Sequence, residues 1–268
     1  MAEPDALTLS GVAAGYTRHP VLADVGLSVA PGEIFGLVGL NGAGKTTLIK
    51  TVLDLVPAAR GHIALFGEPH TRPGSRRHLA FLPEQVLPSP TLKGREWLRL
   101  ILGHHGVRWR RAAADRTAEA LALDPAALDR RVGTYSKGMG QKLGLIATFL
   151  SERPLLILDE PTRGLDPLAR RRLKERIEAA RAGGTTIVLS SHILADVDAL
   201  CDRIGIVDSG GLAFAGAPGA SERTDCVDRI APHFPAGPSG TGHGYLWHGG
   251  HPCPGAGAGA GWFPGRPA

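Results

Sequence analysis

An α/β fold built on a parallel β-sheet is what this 268-residue chain predicts, and three observations carry that prediction. The first is the apolar run Ile34-Phe35-Gly36-Leu37-Val38, followed at once by a glycine-rich turn and a helix-forming stretch. The second is a matching run, Leu155-Leu156-Ile157-Leu158, that ends abruptly in Asp159-Glu160. Strands covered on both faces read as continuous apolar runs, without the alternation of half-buried strands. The third is residues 91–151, which show no strand signal while Trp97, Leu98, Ile101 and Leu102 recur at helical spacing.

The elements follow in order. Residues 5–30 alternate apolar and polar positions in places (Leu7, Leu9; Leu27, Val29) and suit an antiparallel β subdomain at the N-terminal side. The strand at 34–38 opens the core, and Thr46 to Leu53 form the helix after the turn. Gly61 to Gly67 reads as a short strand bounded by glycines, and His78 to Pro83 as another. Parallel strands near 34–38, 79–82, 155–158 and 186–190 make the sheet, and 91–151 is helical. Arg203 to Val207 and the return Leu212 to Gly216 close a domain spanning 5–216.

Beyond Gly216 the character changes. Residues 217–268 hold 12 Gly and 8 Pro, 20 of 52 positions, above the roughly 25–30% at which a segment is read as low-complexity or disordered. Leu, Ile, Val and Phe number five there, too few for a core. This tail is therefore expected to be disordered, and its composition is also what a GC-rich gene yields when read out of frame. His243, His248, His251 and Cys253 are metal-ligand types, but the Gly and Pro around them supply no scaffold.

The turn after the first core strand carries the clearest chemistry. Gly39-Leu40-Asn41-Gly42-Ala43-Gly44-Lys45-Thr46-Thr47 fits G-x-x-x-x-G-K-[ST], the phosphate-binding loop, and makes the core that of a P-loop NTPase. Its glycines allow backbone N–H groups to turn inward around phosphates. Lys45 supplies a charge toward the β- and γ-phosphates, and the Thr46 hydroxyl suits Mg²⁺. The helix that follows points its N-terminus at the same anion. Asp159, at the carboxyl edge of a buried strand, is placed to hold the Mg²⁺ that bridges the phosphates. Glu160, next in the chain, reaches past it to polarise an attacking water.

Three further pieces complete an ordered set: Tyr135-Ser136-Lys137-Gly138-Met139-Gly140-Gln141-Lys142 opening a helical stretch (Leu143 to Leu150), Gly164-Leu165-Asp166, and Thr186 to His192. Phosphate loop, signature, Asp-Glu strand, Gly-Leu-Asp turn and a strand ending in His resemble, in that order, the ATP-binding subunit of ABC transporters, over residues from about 7 to 216. The resemblance implies that 91–151 is an inserted α-helical subdomain. It implies that Tyr16 stacks on adenine, a role its flat π-face suits, with a core or surface tyrosine in a hairpin as the lesser alternative. Ser136 and Gly138 match the serine and second glycine that contact the γ-phosphate of a nucleotide held by the opposite subunit. Lys137 and Met139 depart from the usual Gly and Gln. His192 matches the switch histidine at the γ-phosphate, and Asp166 the residue that communicates across the dimer. Where the family has a metal-binding Gln, this chain has Glu84, with Gln85 as the alternative. A Glu there leans toward exporter-type members, and its hard oxygen still suits Mg²⁺.

The implied function is an ATP-hydrolysing subunit, using ATP and Mg²⁺. It pairs with a second ATP-binding subunit and drives export through a separate membrane permease docked near Glu84 to Thr91. The alternative is a soluble ABC-type ATPase acting on ribosomes or DNA. Against it stand the single ATPase unit and the lack of heptads. A GTPase would want Asn-Lys-x-Asp, and the one asparagine is Asn41.

Composition agrees. No stretch approaches the roughly 18 apolar residues of a membrane span, and the acidic Met1-Ala2-Glu3-Pro4-Asp5 is no signal peptide. The expected location is the cytoplasm, peripheral on the inner membrane face. Cys201, Cys226 and Cys253 are too scattered for a disulfide framework. The net charge of +5 is modest. The clusters Arg170-Arg171-Arg172 (with Arg163 nearby) and Arg108-Trp109-Arg110-Arg111 read as solvated helix faces rather than a nucleic-acid stripe.

Overall fold

The computed structural model describes residues 3–16 and 20–218. The tail read as disordered falls almost wholly outside that range.

Two sheets organise the chain. Strands β1 (Leu7–Ala14), β2 (Leu22–Val29), β4 (Ala58–Leu65) and β5 (Glu68–Pro69) form an antiparallel sheet in the order β2-β1-β4-β5. Strands β3 (Ile34–Val38), β6 (Leu79–Leu82), β7 (Leu155–Leu158), β8 (Thr186–Ser191), β9 (Arg203–Asp208) and β10 (Gly211–Gly216) form the other, in the order β10-β9-β3-β8-β7-β6. All its pairs are parallel except the β9–β10 hairpin.

The continuous apolar runs have their cause in two cores. Phe35, Leu37, Leu155, Ile157 and Val188 face the antiparallel sheet and share a core with Leu48, Ile49 and Val52 of α1 (Lys45–Val52). Their neighbours Ile34, Val38, Leu156, Leu158, Ile187 and Leu189 face the opposite way. That second core also takes in the helical segment, α2 (Gly94–His104), α3 (Arg111–Ala120) and α4 (Lys137–Leu150), together with α5 (Pro167–Ala182). A short α6 (Leu194–Asp198) follows β8.

Two elements start three or more residues earlier than in the sequence reading. Strand β4 begins at Ala58, not at Gly61, because Gly61 lies inside it at φ +87 where the β1 register slips. A Cβ there would sit 2.5 Å from the Gly11 carbonyl oxygen, so the glycine permits a crossing rather than marking an end. Helix α4 begins at Lys137, not Leu143. Gly138 and Gly140 weaken helix propensity in its first turn, but Ser136 caps it by accepting from Met139 N–H at 3.2 Å.

Parallel pairing sets the level of the strand ends. Leu82 lies opposite Leu158, Leu158 opposite Leu189, and Val38 opposite Ser191. The residues just past these ends therefore converge on one carboxyl edge, where open α/β sheets hold their ligands.

Candidate functional site

The phosphate loop leaves β3 and enters α1 through Gly44, at φ +113. Gly39 is required by space, since a Cβ would sit 2.5 Å from Val207 O. Gly42, at φ +86, opens on nothing within 4 Å. Residues 40–42 and 44–47, Glu84 and Glu160 border a pocket of about 250 Å³. The first N–H groups of α1 have no acceptor within the helix and face an anion's position.

Lys45 is buried, and its Nζ donates to the carbonyls of Gly39 (2.7 Å) and Leu40 (3.1 Å). Burial pushes its pKa below the ordinary lysine value, against the opposing pull of Glu160 and Asp159. Glu160 Oε1 lies 3.8 Å from the ammonium.

Asp159 is 1% exposed. Its Oδ2 accepts from Thr46 Oγ at 3.1 Å and its Oδ1 from Ser190 Oγ at 2.6 Å. The chain is then forced left-handed at Glu160, φ +48, a conformation a non-glycine residue adopts at a cost of about 1–3 kcal/mol. That turn brings its carboxylate into the pocket beside Lys45. Glu160 N–H donates to Ser190 Oγ at 2.9 Å, and Glu160 Oε2 meets His192 Nδ1 at 2.7 Å. Lys45, Thr46, Asp159, Glu160 and His192 therefore form one connected cluster.

Ser190 is the member that sequence reasoning missed. One hydroxyl ties Asp159 to Glu160, and the only sequence signal was a polar residue ending the run Ile187-Val188-Leu189.

The remaining predicted residues lie elsewhere. Glu84 borders the pocket, and its carboxylate pairs with Arg163, while Gln85 is exposed. Tyr16 is 60% exposed, with Lys50 Nζ 6.0 Å from its ring centre, and it does not border the phosphate pocket. Ser136, Gly138 and Asp166 make a second group outside that pocket. A Cβ on Gly138 would sit 2.8 Å from Gly164 O, which explains a glycine there. Asp166 caps α5 by accepting from Ala169 N–H at 2.8 Å and pairs with Lys142 at 3.1 Å. The backbone bond first, then Lys142, lowers its pKa from the ordinary carboxylate value.

The donor set fits the expected ligands. Thr46 Oγ and Asp159 Oδ2 are hard oxygens beside a glycine cradle, with Glu84 near, as Mg²⁺ with phosphate oxygens requires.

With this geometry in place, the comparison with known proteins is decisive. The ABC transporter family profile matches residues 22–163. The chain belongs to that family. It is 35% identical to the ABC-type transporter ATP-binding protein EcsA of Bacillus subtilis, over 76% of this chain and 84% of that one. It is also 35% identical to the Nod factor export ATP-binding protein I of Bradyrhizobium diazoefficiens, over 80% and 71%. A solved ATP-binding subunit of an ABC transporter superposes with a TM-score of 0.74 at 35% identity, covering 86% of this chain and 95% of that one. As an ABC subunit the chain binds and hydrolyses ATP and energises transport through a separate permease. No helix among the described residues is long and apolar enough to cross a membrane.

Proposed function

We propose that this ABC subunit hydrolyses Mg²⁺-bound ATP at a site shared head to tail with a second ATP-binding subunit, and so drives export. The observation that supports it most is the Glu160 carboxylate, held beside Lys45 and His192 in the pocket bordered by the phosphate loop. Lys45, now resting on the Gly39 and Leu40 carbonyls, turns to the β- and γ-phosphates. Thr46 and Asp159 hold Mg²⁺, with Glu84 as a further oxygen, and Tyr16 stacks on adenine. The bound ion supplies neutralisation of the phosphate charge. Glu160 accepts the proton of the attacking water, and His192, whose Nδ1 fixes that carboxylate, senses the γ-phosphate. The opposite subunit presents Ser136 and Gly138, and Asp166 carries the state of one site to the other.

Direction is supported by Glu84 and by relatives named for export. The permease docks near Glu84 to Thr91, which places the subunit at the cytoplasmic membrane face. Glu160→Gln tests the chemistry, because an amide cannot take the proton. ATP binding should persist while turnover falls by about 100-fold or more and a closed pair accumulates. Unchanged turnover with the permease present sinks the assignment of Glu160 as base.

A further inference from the structure

The basic run Arg108-Trp109-Arg110-Arg111, which reads in sequence as a solvated face, is placed differently by the fold. Arg108 and Arg110 border a cavity of about 510 Å³ where the loop after α2 meets residues 151–153 beyond α4. Arg153 adds a third guanidinium. It is held in place by His105, donating to the His105 carbonyl and, at 3.3 Å, to His105 Nδ1. Burial, with Arg153 and His104 adjacent, lowers the His105 pKa, in the same sense as a ring nitrogen that accepts from Arg153. The one carboxylate bordering the cavity is Glu152, which pairs with Arg110. Three guanidiniums against one carboxylate leave the cavity with about two uncompensated positive charges.

His105 also borders a second cavity, of about 220 Å³, on its other side. That one is an apolar groove between α2, α4 and the segment after β6, walled by Phe81, Val86, Leu87, Trp97 and Ile101. Leu87 is 79% exposed. The close approach that shapes the groove depends on Gly144, where a Cβ would sit 2.5 Å from Val86 Cγ2. Groove and cationic cavity share His105 as a wall residue, so an apolar cavity and a positive one adjoin there.

We propose that the cationic cavity is a socket for carboxylates of the permease segment seated in the adjoining groove. The segment that docks here is then amphipathic, an apolar anchor followed along the chain by Asp or Glu. This rests on reading residues 84–91 as the permease face. The confinement of the charge to one cavity beside an apolar groove makes the choice of partner. A nucleic acid would want a basic stripe extending over the surface, whereas here the cations converge in one cavity and the neighbouring surface is apolar. Rim charges of this kind act on association and its salt dependence, and on the exclusion of wrong partners.

The test uses membranes from cells producing the chain together with its permease, and measures retention of the chain at low and high salt. Leu87→Asp addresses the groove, and the pair Arg108→Glu with Arg110→Glu addresses the socket without touching the ATP site. The socket pair should weaken retention by about tenfold or more at low salt, remove most of its salt dependence, and recover when an acidic residue of the permease segment is changed to Arg. Permease-free ATPase activity should stay at the parent level. If Leu87→Asp releases the chain while the socket pair does not, the socket is wrong and the docking face stands. If neither releases it, the docking face itself is wrong. If the socket pair also abolishes binding to permease-free phosphatidylglycerol vesicles that bind the parent chain, the ligand is lipid and the proposal is overturned.

Discussion

Replacing Ser190 by Ala removes one oxygen and leaves two groups stranded. The hydroxyl donates to Asp159 Oδ1 at 2.6 Å and accepts from Glu160 N–H at 2.9 Å, and Ser190 is fully buried. A hydrogen bond to a charged group contributes about 1.5–3 kcal/mol, and a buried N–H left without an acceptor costs about 1–3 kcal/mol. Taken together, Ser190→Ala should destabilise the fold by about 3 kcal/mol. The kinetic consequence is separate. Glu160 sits at φ +48, and the Ser190 acceptor fixes its N–H there. Strain of about 1–3 kcal/mol is then free to relax, and the carboxylate leaves its place between Lys45 and His192. At about 1.4 kcal/mol per decade of rate, kcat should drop 10- to 100-fold. Nucleotide affinity should change less than about threefold, since Lys45 and the loop backbone are untouched. Urea unfolding, steady-state ATPase and binding of a fluorescent ATP analogue read the three quantities on one preparation. Ser190→Thr keeps the oxygen on a β-branched residue suited to a strand, and should retain most of the activity. A Ser190→Ala protein with an unmoved unfolding midpoint and kcat within twofold of the parent refutes the idea that this hydroxyl holds the two carboxylates in register.

Three more outcomes are expected. Co-producing Ser136→Arg with Lys45→Ala should restore part of the activity in a homodimer, because in the mixed pair one site carries both defects and the other neither. A mixture as dead as each parent refutes the head-to-tail arrangement. The Cys201 thiol, pushed up to about 12 by burial, should resist a thiol reagent at pH 8 in a Cys226→Ser, Cys253→Ser background and react at once on unfolding. Its folded pKa is raised, so the stability it contributes is complete below pH 9 and is lost as pH rises toward 12. Rapid labelling of the folded protein refutes that burial. Arg163→Ala should free the Glu84 carboxylate, lowering the Mg²⁺ concentration that half-saturates nucleotide binding by up to about fivefold, the equivalent of an exposed pair worth up to 1 kcal/mol. In a Glu84→Gln background the same change should do nothing, and an equal effect there refutes the link.

What the sequence made legible was local. The phosphate loop reads directly because its glycines, Lys45 and Thr46 are contiguous and each has a backbone or charge reason to be there. Asp159 and Glu160 read directly because two carboxylates cannot continue a buried strand. The start of strand β4 at Ala58 is hidden in the sequence because Gly61 signals a boundary locally but serves a crossing with Gly11, about fifty residues earlier. Helix α6 spans Leu194–Asp198 only, too few residues for a period to show.

The contacts that turn these pieces into a site were not legible, and the reason is register. Ser190 reaches Asp159 and Glu160, and His192 reaches Glu160, because Leu158 stands opposite Leu189 in the sheet. Shifting that pairing by one residue would turn the Ser190 side chain to the other face and leave both carboxylates without their common hydroxyl. No feature within either strand's sequence states that alignment. It follows from two apolar faces that must each meet their own core, Leu156, Leu158, Ile187 and Leu189 on one side, Leu155, Ile157 and Val188 on the other. The same burial that makes these strands read as featureless apolar runs is therefore what fixes the geometry of the polar groups at their ends.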